Sequence, residues 1–375
     1  MTKPLRIVHC FRSPVGGVGR HVRDLVTAQA AAGHSVGIIC DSSTGGELES
    51  RRLAELAPML ALGVSRLPIR RRIDLGDIAA GWRTYSLIKE LRPDVLHGHG
   101  AKGGALARMF GSVLRVFRYR VARLYSPHGG VLHYDAATLK GRALFAVERL
   151  LGRMSDHLLF VADFERRVFH EKVGRPRTAE TVVYNGLDAA EFEPVPPDAD
   201  ASDFLFVGTF RDLKGPDIFI DALALASHAT GRAVTGTMVG DSEDLTLYRD
   251  QAARLSLSVR FLDPMPARQA FALGRVMVVP SRAEAMPYIV LEALAAGKPT
   301  IATAVGGIPE ILGAASPALV EAKAEPVAKA MVRAIDDEAS FLKAMPAHEM
   351  LLDRFSVATM AAAVEAAYRS SLADG

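Results

Sequence analysis

Two glutamates with seven residues between them, Glu284 and Glu292, carry the strongest chemical signal in the sequence. The run 276–279 reads as a short buried strand, Pro280 and Ser281 end it, and 286–296 reads as a helix stopped by Gly297. Glu284 then stands just before a helix N-terminus, where unpaired backbone N–H groups and partial positive charge suit phosphates and oxyanions. Glu292, about two turns further on, is in a position to reach a ligand's hydroxyls. The same pair also admits a structural reading, as an N-capping carboxylate and a solvated helix glutamate. Arg211 and Lys214 follow a strand-like run ending at Gly208 and precede a helix beginning near Pro216. Two cations beside a helix start form a diphosphate site. They can neutralise charge on a leaving nucleoside diphosphate, a task other transferases give to a metal, so metal independence is expected. The plain alternative is two surface charges on a strand-to-helix loop.

His97, His99 and His128 fall within about thirty residues of one another. His97 and His99 read as a strand-end pair whose side chains alternate between opposite faces, with His99 in the loop after the strand. No cysteine or carboxylate completes a ligand spacing nearby, so no metal site is expected. The glycine loop Pro14-Val-Gly-Gly-Val-Gly-Arg-His21 tests for a dinucleotide site. Gly17 and Gly19 supply two glycines of that fingerprint and Asp41 the acid, but Val22 occupies the third glycine position. A structural tight turn is the other reading of the loop. No Ser-His-Asp or Cys-His arrangement announces a covalent nucleophile.

Four phrases, in order, resemble the retaining glycosyltransferases of family 4. They are Gly16-Gly17-Val-Gly-Arg-His, Asp94-Val-Leu-His-Gly-His99, Val207-Gly-Thr-Phe-Arg-Asp-Leu-Lys-Gly215 and the Pro-Ser, Glu, seven residues, Glu phrase of 280–299. The resemblance spans nearly the whole chain and implies the GT-B fold, in which two Rossmann-like doubly wound α/β domains face a central cleft. It implies a UDP- or GDP-sugar donor, no metal, and hexosyl transfer with retention. In that family Gly16 and Gly17 approach the donor's diphosphate and sugar, and His128 of Ser126-Pro-His-Gly-Gly130 touches the donor sugar or the reacting centre. Glu284 orients the sugar with the backbone of Ala285, Met286, Pro287 and Tyr288, and Glu292 grips the ribose. His99 and Lys102 line the acceptor side. The departing diphosphate, drawn by Arg211 and Lys214, takes the acceptor's proton. Met286 and Pro287 stand where glycine is common, and Tyr184 in Val183-Tyr-Asn-Gly-Leu-Asp188 stands where proline is usual. A nucleotide-sugar epimerase of the same architecture and a non-catalytic nucleotide-sugar-binding partner subunit remain alternatives.

The elements that must position these residues follow from periodicity. Strand-like runs at 6–10, 36–40, 64–68, 95–97, 124–126, 158–161 and 182–184 alternate with helical patterns, as do runs at 204–208, 236–240, 259–262, 276–279 and 300–302. The segment 191–203 is rich in Pro and Asp and reads as a linker. The expected division is an acceptor-binding domain at 1–188, a linker at 189–203, a donor-binding domain at 204–355, and a last helix in 356–375 crossing back to the first domain. At 375 residues and 49% hydrophobic the chain can fill two cores.

Charge divides unevenly about Asn185. Residues 1–185 hold 29 Lys and Arg against 16 Asp and Glu, a net +13, whereas 186–375 hold 16 against 26, a net −10. A basic half suits phosphate-rich or membrane-bound acceptors. Nucleic acid is a poor partner for it, since the arginines are scattered and no binding signature or interleaved aromatics accompany them. Arg108, Ser112, Arg115 and Arg118 form one helical stripe and Phe110, Val113, Leu114 and Phe117 another, which suits an anionic membrane or, equally, packing on the sheet. Arg66, Arg70, Arg71 and Arg72 make a second basic cluster. The acceptor expected is a lipid-linked saccharide of bacterial exopolysaccharide or lipopolysaccharide assembly. Cys10 and Cys40 read as buried thiols of a reducing compartment. With no secretory pattern and no ~20-residue apolar run, the expected location is the cytoplasm, with peripheral association at the inner membrane.

Overall fold

The structure is a computed structural model and describes residues 3–69, 76–242 and 244–373. It divides into two compact units, one of Met1–Gly186 with Val357–Gly375 and one of Leu187–Ser356. In the first, strands β1 (Arg6–Phe11), β2 (Ser35–Asp41), β3 (Gly63–Leu67), β4 (Val95–His99), β5 (Ala122–Ser126), β6 (His157–Phe160) and β7 (Ala179–Val182) make one sheet in the order β3-β2-β1-β4-β5-β6-β7. All the neighbours are parallel. The strand order reverses between β1 and β4, where an open α/β sheet leaves room for ligands at the strands' carboxyl ends. β1 and β2 are rich in Val and Ile and buried beyond their first residue, as suits strands covered on both faces.

Close approach of the helix Gly100–Val116 to this sheet depends on missing side chains. A Cβ on Gly103 would lie 2.1 Å from the Cys10 carbonyl oxygen, and one on Gly98 would lie 2.5 Å from that of Gly103. The last helix, Val357–Ala373, packs Met360, Val364, Ala367 and Tyr368 into the same core as Leu5, Ile7, Leu25 and Val95. Each such fully buried aliphatic side chain is worth about 2 kcal/mol. Cys10 and Cys40 are both free and buried, and burial pushes the Cys10 thiol up to about 12.

The second unit repeats the plan with β8 (Ser202–Val207), β9 (Gly236–Val239), β10 (Val259–Leu262), β11 (Gly274–Val279), β12 (Thr300–Thr303) and β13 (Leu319–Val320), in the order β10-β9-β8-β11-β12-β13. These pairs are parallel too. The helix Pro216–Thr230 opens on a proline at its first position and stops at Gly231 (φ +67°), the usual chemistry of helix ends. It buries Ile218, Phe219, Ile220, Leu223 and Ala226.

The details of several elements differ from the periodicity reading. Residues 191–203 are no free linker: the backbone N–H groups of Val195, Asp198 and Ser202 donate to the carbonyls of Ala296, Ala272 and Leu273, which ties the segment along the second unit. The unit boundaries fall at Gly186 and Val357. β7 lies at 179–182, three residues before the expected 182–184, and β13 was not foreseen. The helix after β11 is Tyr288–Ala295, beginning two residues later than expected. Pro287 is its N-cap in an extended conformation, and a residue before proline, here Met286, is driven out of the helical region.

Candidate functional site

In the first unit, chemistry gathers where β1, β4 and β5 end. His9 and His97 are register partners on β1 and β4, and His99 pairs with Phe11 on one side and Ser126 on the other. His99 is the last residue of β4 rather than part of a loop. Two positions apart on a strand, His97 and His99 share a face, and their ring centroids are 4.0 Å apart, which corrects the expectation of opposite faces. His21, on the helix Gly16–Ala31, meets His128 edge-on at 4.6 Å. Sequence reasoning saw three of these histidines and missed His9 and His21. The same-face spacing of His97 and His99 was the available signal.

Hydrogen bonds join the rings. His9 Nδ1 lies 2.9 Å from His99 Nε2, and His99 Nδ1 lies 3.0 Å from His128 Nε2. The other nitrogen of His9 meets Gln29 Oε1 at 2.8 Å. His97 bridges Tyr368 OH and Ser126 Oγ, both at 2.8 Å, and His21 Nδ1 meets Asn185 Oδ1 at 3.0 Å. Burial drives all five toward the neutral form: it lowers His9 and His21 to about 4 and holds His97, His99 and His128 well below the usual imidazole value. Two trios, His9 with His97 and His99, and His21 with His99 and His128, bring nitrogens within 4.8 Å. In the first trio every nitrogen is already hydrogen-bonded, so a cation there must displace those bonds.

His128 sits in the loop after β5 at φ +49°, a left-handed conformation for a non-glycine residue, followed by Gly129 (φ +78°) and Gly130 (φ +41°). Glu165 fixes this loop from below. It is 2% exposed, and its carboxylate accepts the Gly129 N–H and, at 2.9 Å, the Val161 N–H. Burial pushes this carboxyl up to about 7 despite those bonds. Sequence reasoning did not single out Glu165. Gly16 (φ +72°) and Gly17 are exposed at the start of their helix, while a Cβ on Gly19 would lie 1.7 Å from the Pro14 carbonyl oxygen. Lys102 is half-buried in the first turn of Gly100–Val116. His99 is 1% exposed with both ring nitrogens engaged, so it lies behind His128 rather than on an acceptor-facing surface.

In the second unit the two motifs meet. Lys214 Nζ lies 2.7 Å from Glu284 Oε1, and Ser281 Oγ donates to the same oxygen at 2.7 Å. The cation and carboxylate expected to hold different parts of a ligand thus neutralise one another. Lys214 ends the turn Asp212–Lys214, and Gly215 (φ +68°) passes so near Pro280 that a Cβ would lie 2.2 Å from its carbonyl oxygen. A Cβ on Gly306 would lie 2.1 Å from the Glu284 carbonyl oxygen, and the Gly307 N–H donates to the Ala285 carbonyl at 2.7 Å. Arg211 is exposed and meets no carboxylate among the described residues. Arg282 instead clamps Asp217, at 2.9 Å through Nη1, and fixes the base of the loop. Two helix N-termini, Pro216 and Tyr288, open beside these residues. Met286 and Tyr288 are buried, and Glu292 is half-buried on the second of these helices.

The basic stripe is mostly spent internally. Arg108 is fully buried, paired with Glu148 at 2.6 Å and lying 3.9 Å from the Tyr125 ring centroid. Arg115 grips Asp156 through both Nη atoms, and Arg66 donates to the carbonyls of Asp41 and Thr44. Arg118 is exposed, and Arg70, Arg71 and Arg72 lie outside the described residues. The apolar stripe splits: Leu114 is buried, whereas Val113, Val116 and Phe117 are exposed. Among the described residues no helix is long and apolar enough to cross a membrane.

Comparison with known proteins gives one picture along the chain. Residues 15–191 match the family model described as Glycosyltransferase Family 4, and residues 201–337 match Glycosyl transferases group 1. The chain is 28% identical over 382 residues to a glycogen synthase of Mycobacterium tuberculosis, covering 94% of this chain and 91% of the relative. It is 30% identical over 243 residues to a D-inositol 3-phosphate glycosyltransferase of Kineococcus radiotolerans, covering 57% and 55% of the two chains. The Anabaena protein HepE, solved in complex with UDP, superposes with a TM-score of 0.80 at 19% identity, covering 97% of this chain and 99% of that one.

Proposed function

We propose, from the premise that this chain belongs to glycosyltransferase family 4, that it moves a hexosyl group with retention from a UDP- or GDP-sugar to an acceptor hydroxyl. The observation that carries this reading is the contact of Lys214 with Glu284, 70 positions apart in sequence, beside two helix N-termini. Positive helix ends and a lysine suit a diphosphate, and a carboxylate at the same point suits sugar hydroxyls. Arg211, exposed and unmatched by a carboxylate among the described residues, adds a second cation.

In this reading a bound donor inserts its phosphates where Lys214 now meets Glu284. Lys214 is then shared between carboxylate and phosphate, and Arg211 neutralises charge as the diphosphate departs. Glu284, kept in place by Ser281, holds the sugar by its hydroxyls. Glu292 on its helix takes the ribose, and Gly16 and Gly17 offer exposed backbone N–H groups. His128, held neutral by burial, meets a sugar hydroxyl without placing positive charge near the anomeric carbon. The leaving phosphate takes the acceptor's proton, and Arg211 and Lys214 stand in for a metal by neutralising the departing diphosphate. HepE crystallised with UDP and with UDP-glucose, and this supports UDP as the first nucleotide to try.

Calorimetric titration with UDP and GDP, on the wild type and Lys214→Ala, tests the donor site. Binding of one nucleotide, weakened at least tenfold by the substitution, is expected; no binding of either removes the physical support for a transferase. For the acceptor, exposed Met109, Val113, Val116 and Phe117, followed in the chain by exposed Arg118 and Arg120, favour a lipid-linked saccharide presented at an anionic membrane. Cosedimentation with phosphatidylglycerol vesicles that fades with salt is expected, and a protein left in the supernatant at low salt sinks the lipid reading.

A further inference from the structure

The hydrogen bonds among the buried histidines form a directed chain with Gln29 at its head. Gln29 Oε1 faces His9 Nε2 at 2.8 Å, and its Nε2 faces Tyr368 OH at 3.3 Å. A carboxamide oxygen only accepts and its NH2 only donates. Because burial keeps these imidazoles neutral, each carries one N–H and one bare nitrogen. His9 must therefore donate from Nε2 to Gln29 and accept at Nδ1 from the Nε2–H of His99. His99 then accepts at Nδ1 from the Nε2–H of His128. In the second branch Tyr368 accepts from Gln29 and donates to His97 Nδ1, which leaves His97 Nε2–H to donate to Ser126 Oγ. Turning the Gln29 amide over inverts every donor in both branches. The array thus has two self-consistent states, and the orientation of one amide selects between them.

We infer that Gln29 and Tyr368 are positioning residues that, acting through the buried His9–His99 pair, hold the half-buried His128 in the tautomer with Nε2–H turned inward and Nδ1 bare for a ligand. A bare nitrogen is an acceptor, so His128 recognises a donor group, such as a sugar hydroxyl, rather than a phosphate or carboxylate oxygen. That consequence rests on the transferase reading; the tautomer itself does not.

The test is nitrogen-15 correlation spectroscopy of the full chain with labelled histidine, in which a protonated and a bare ring nitrogen give widely separated shifts. His128→Gln identifies its signal among the 11 histidines. In the wild type, His128 is expected with Nδ1 bare and Nε2 protonated. Gln29→Leu removes the acceptor for His9 Nε2–H, so the array turns over and His128 gains its proton at Nδ1. Gln29→Glu, whose carboxylate accepts from His9 and Tyr368 alike, is expected to keep the wild-type tautomer of His9, His99 and His128 while turning His97 over, since Tyr368 then accepts from His97 Nδ1–H; it is the control should Gln29→Leu fold poorly. A wild-type His128 protonated at Nδ1, or a His128 tautomer changed by Gln29→Glu, overturns the inference, as does an unchanged His128 tautomer in folded Gln29→Leu. Transfer assays on the same proteins are a separate readout. A roughly tenfold loss in Gln29→Leu with UDP affinity intact extends the inference to turnover, whereas an inactive wild type with the expected tautomer counts against the transferase reading alone.

Discussion

Lowering the pH from 7.5 to 5 should loosen the first unit selectively. His9 and His21 have folded values of about 4, against 6.5 when exposed. At pH 5 the unfolded chain binds a proton at each site while the folded site stays about nine-tenths neutral, so the unfolded state takes up more protons and stability falls with pH. Each site then costs about 2 kcal/mol relative to pH 7.5, or about 4 kcal/mol for the pair. Glu165 works in the opposite direction. Its folded value near 7 lies above 4.5, so the folded state holds the extra proton and gains about 2–3 kcal/mol at pH 5. His97, His99 and His128 shift the same way as His9 and carry the balance further toward loss. Against a typical stability of about 5–15 kcal/mol, that is a large fraction. Amide hydrogen exchange by mass spectrometry separates the units: peptides from β1 and β4 should lose at least about 2 kcal/mol more opening free energy than those from β8 and β11, after correction for intrinsic rates. His21→Gln should recover about half of the pair's loss. Equal pH dependence in the two units would refute neutral burial of the histidines.

Other perturbations follow from close contacts and buried charge. Glu148→Gln leaves the guanidinium of fully buried Arg108 without its counter-charge and should cost about 3–5 kcal/mol by urea unfolding; a change under about 1 kcal/mol would contradict the pairing. Gly103→Ala forces a methyl to within 2.1 Å of the Cys10 carbonyl oxygen and should lower the melting temperature by several degrees, whereas Gly33→Ala, which meets no atom within 4 Å but has φ +88°, should cost only backbone strain. Glu292→Gln should weaken nucleotide binding, and equal affinity in the two proteins would remove the ribose role.

The two sheets were largely legible because most of their central strands are short apolar runs bounded by turn residues. Legibility failed where that signal thins. Ala179–Val182 is a half-exposed edge strand of mixed polarity, and Leu319–Val320 is too short to show a period. Residues 191–203 carry the composition of a linker, yet their backbone is hydrogen-bonded to the second unit, and composition does not report backbone partners. Lys214 and Glu284 could each be picked by position relative to a helix start, but their direct contact spans two loops. His9 and His21 were invisible for the same reason: a cluster drawn from β1, β4, a helix and a loop has no spacing along the chain. Glu165, thirty-six positions from the Gly129 amide it holds, is another such case.

Because Val357–Ala373 fills the core of the first unit and brings Tyr368 to His97, synthesis and folding run in different orders. The second unit is one unbroken stretch, Leu187–Ser356, and has all its strands once those residues have left the ribosome. The first unit's main stretch, Met1–Gly186, is made before the second unit, yet it lacks a core-forming helix until Val357–Ala373 has followed. The half of the protein that is translated first is therefore completed last, with its apolar face waiting through the whole of the other unit's synthesis.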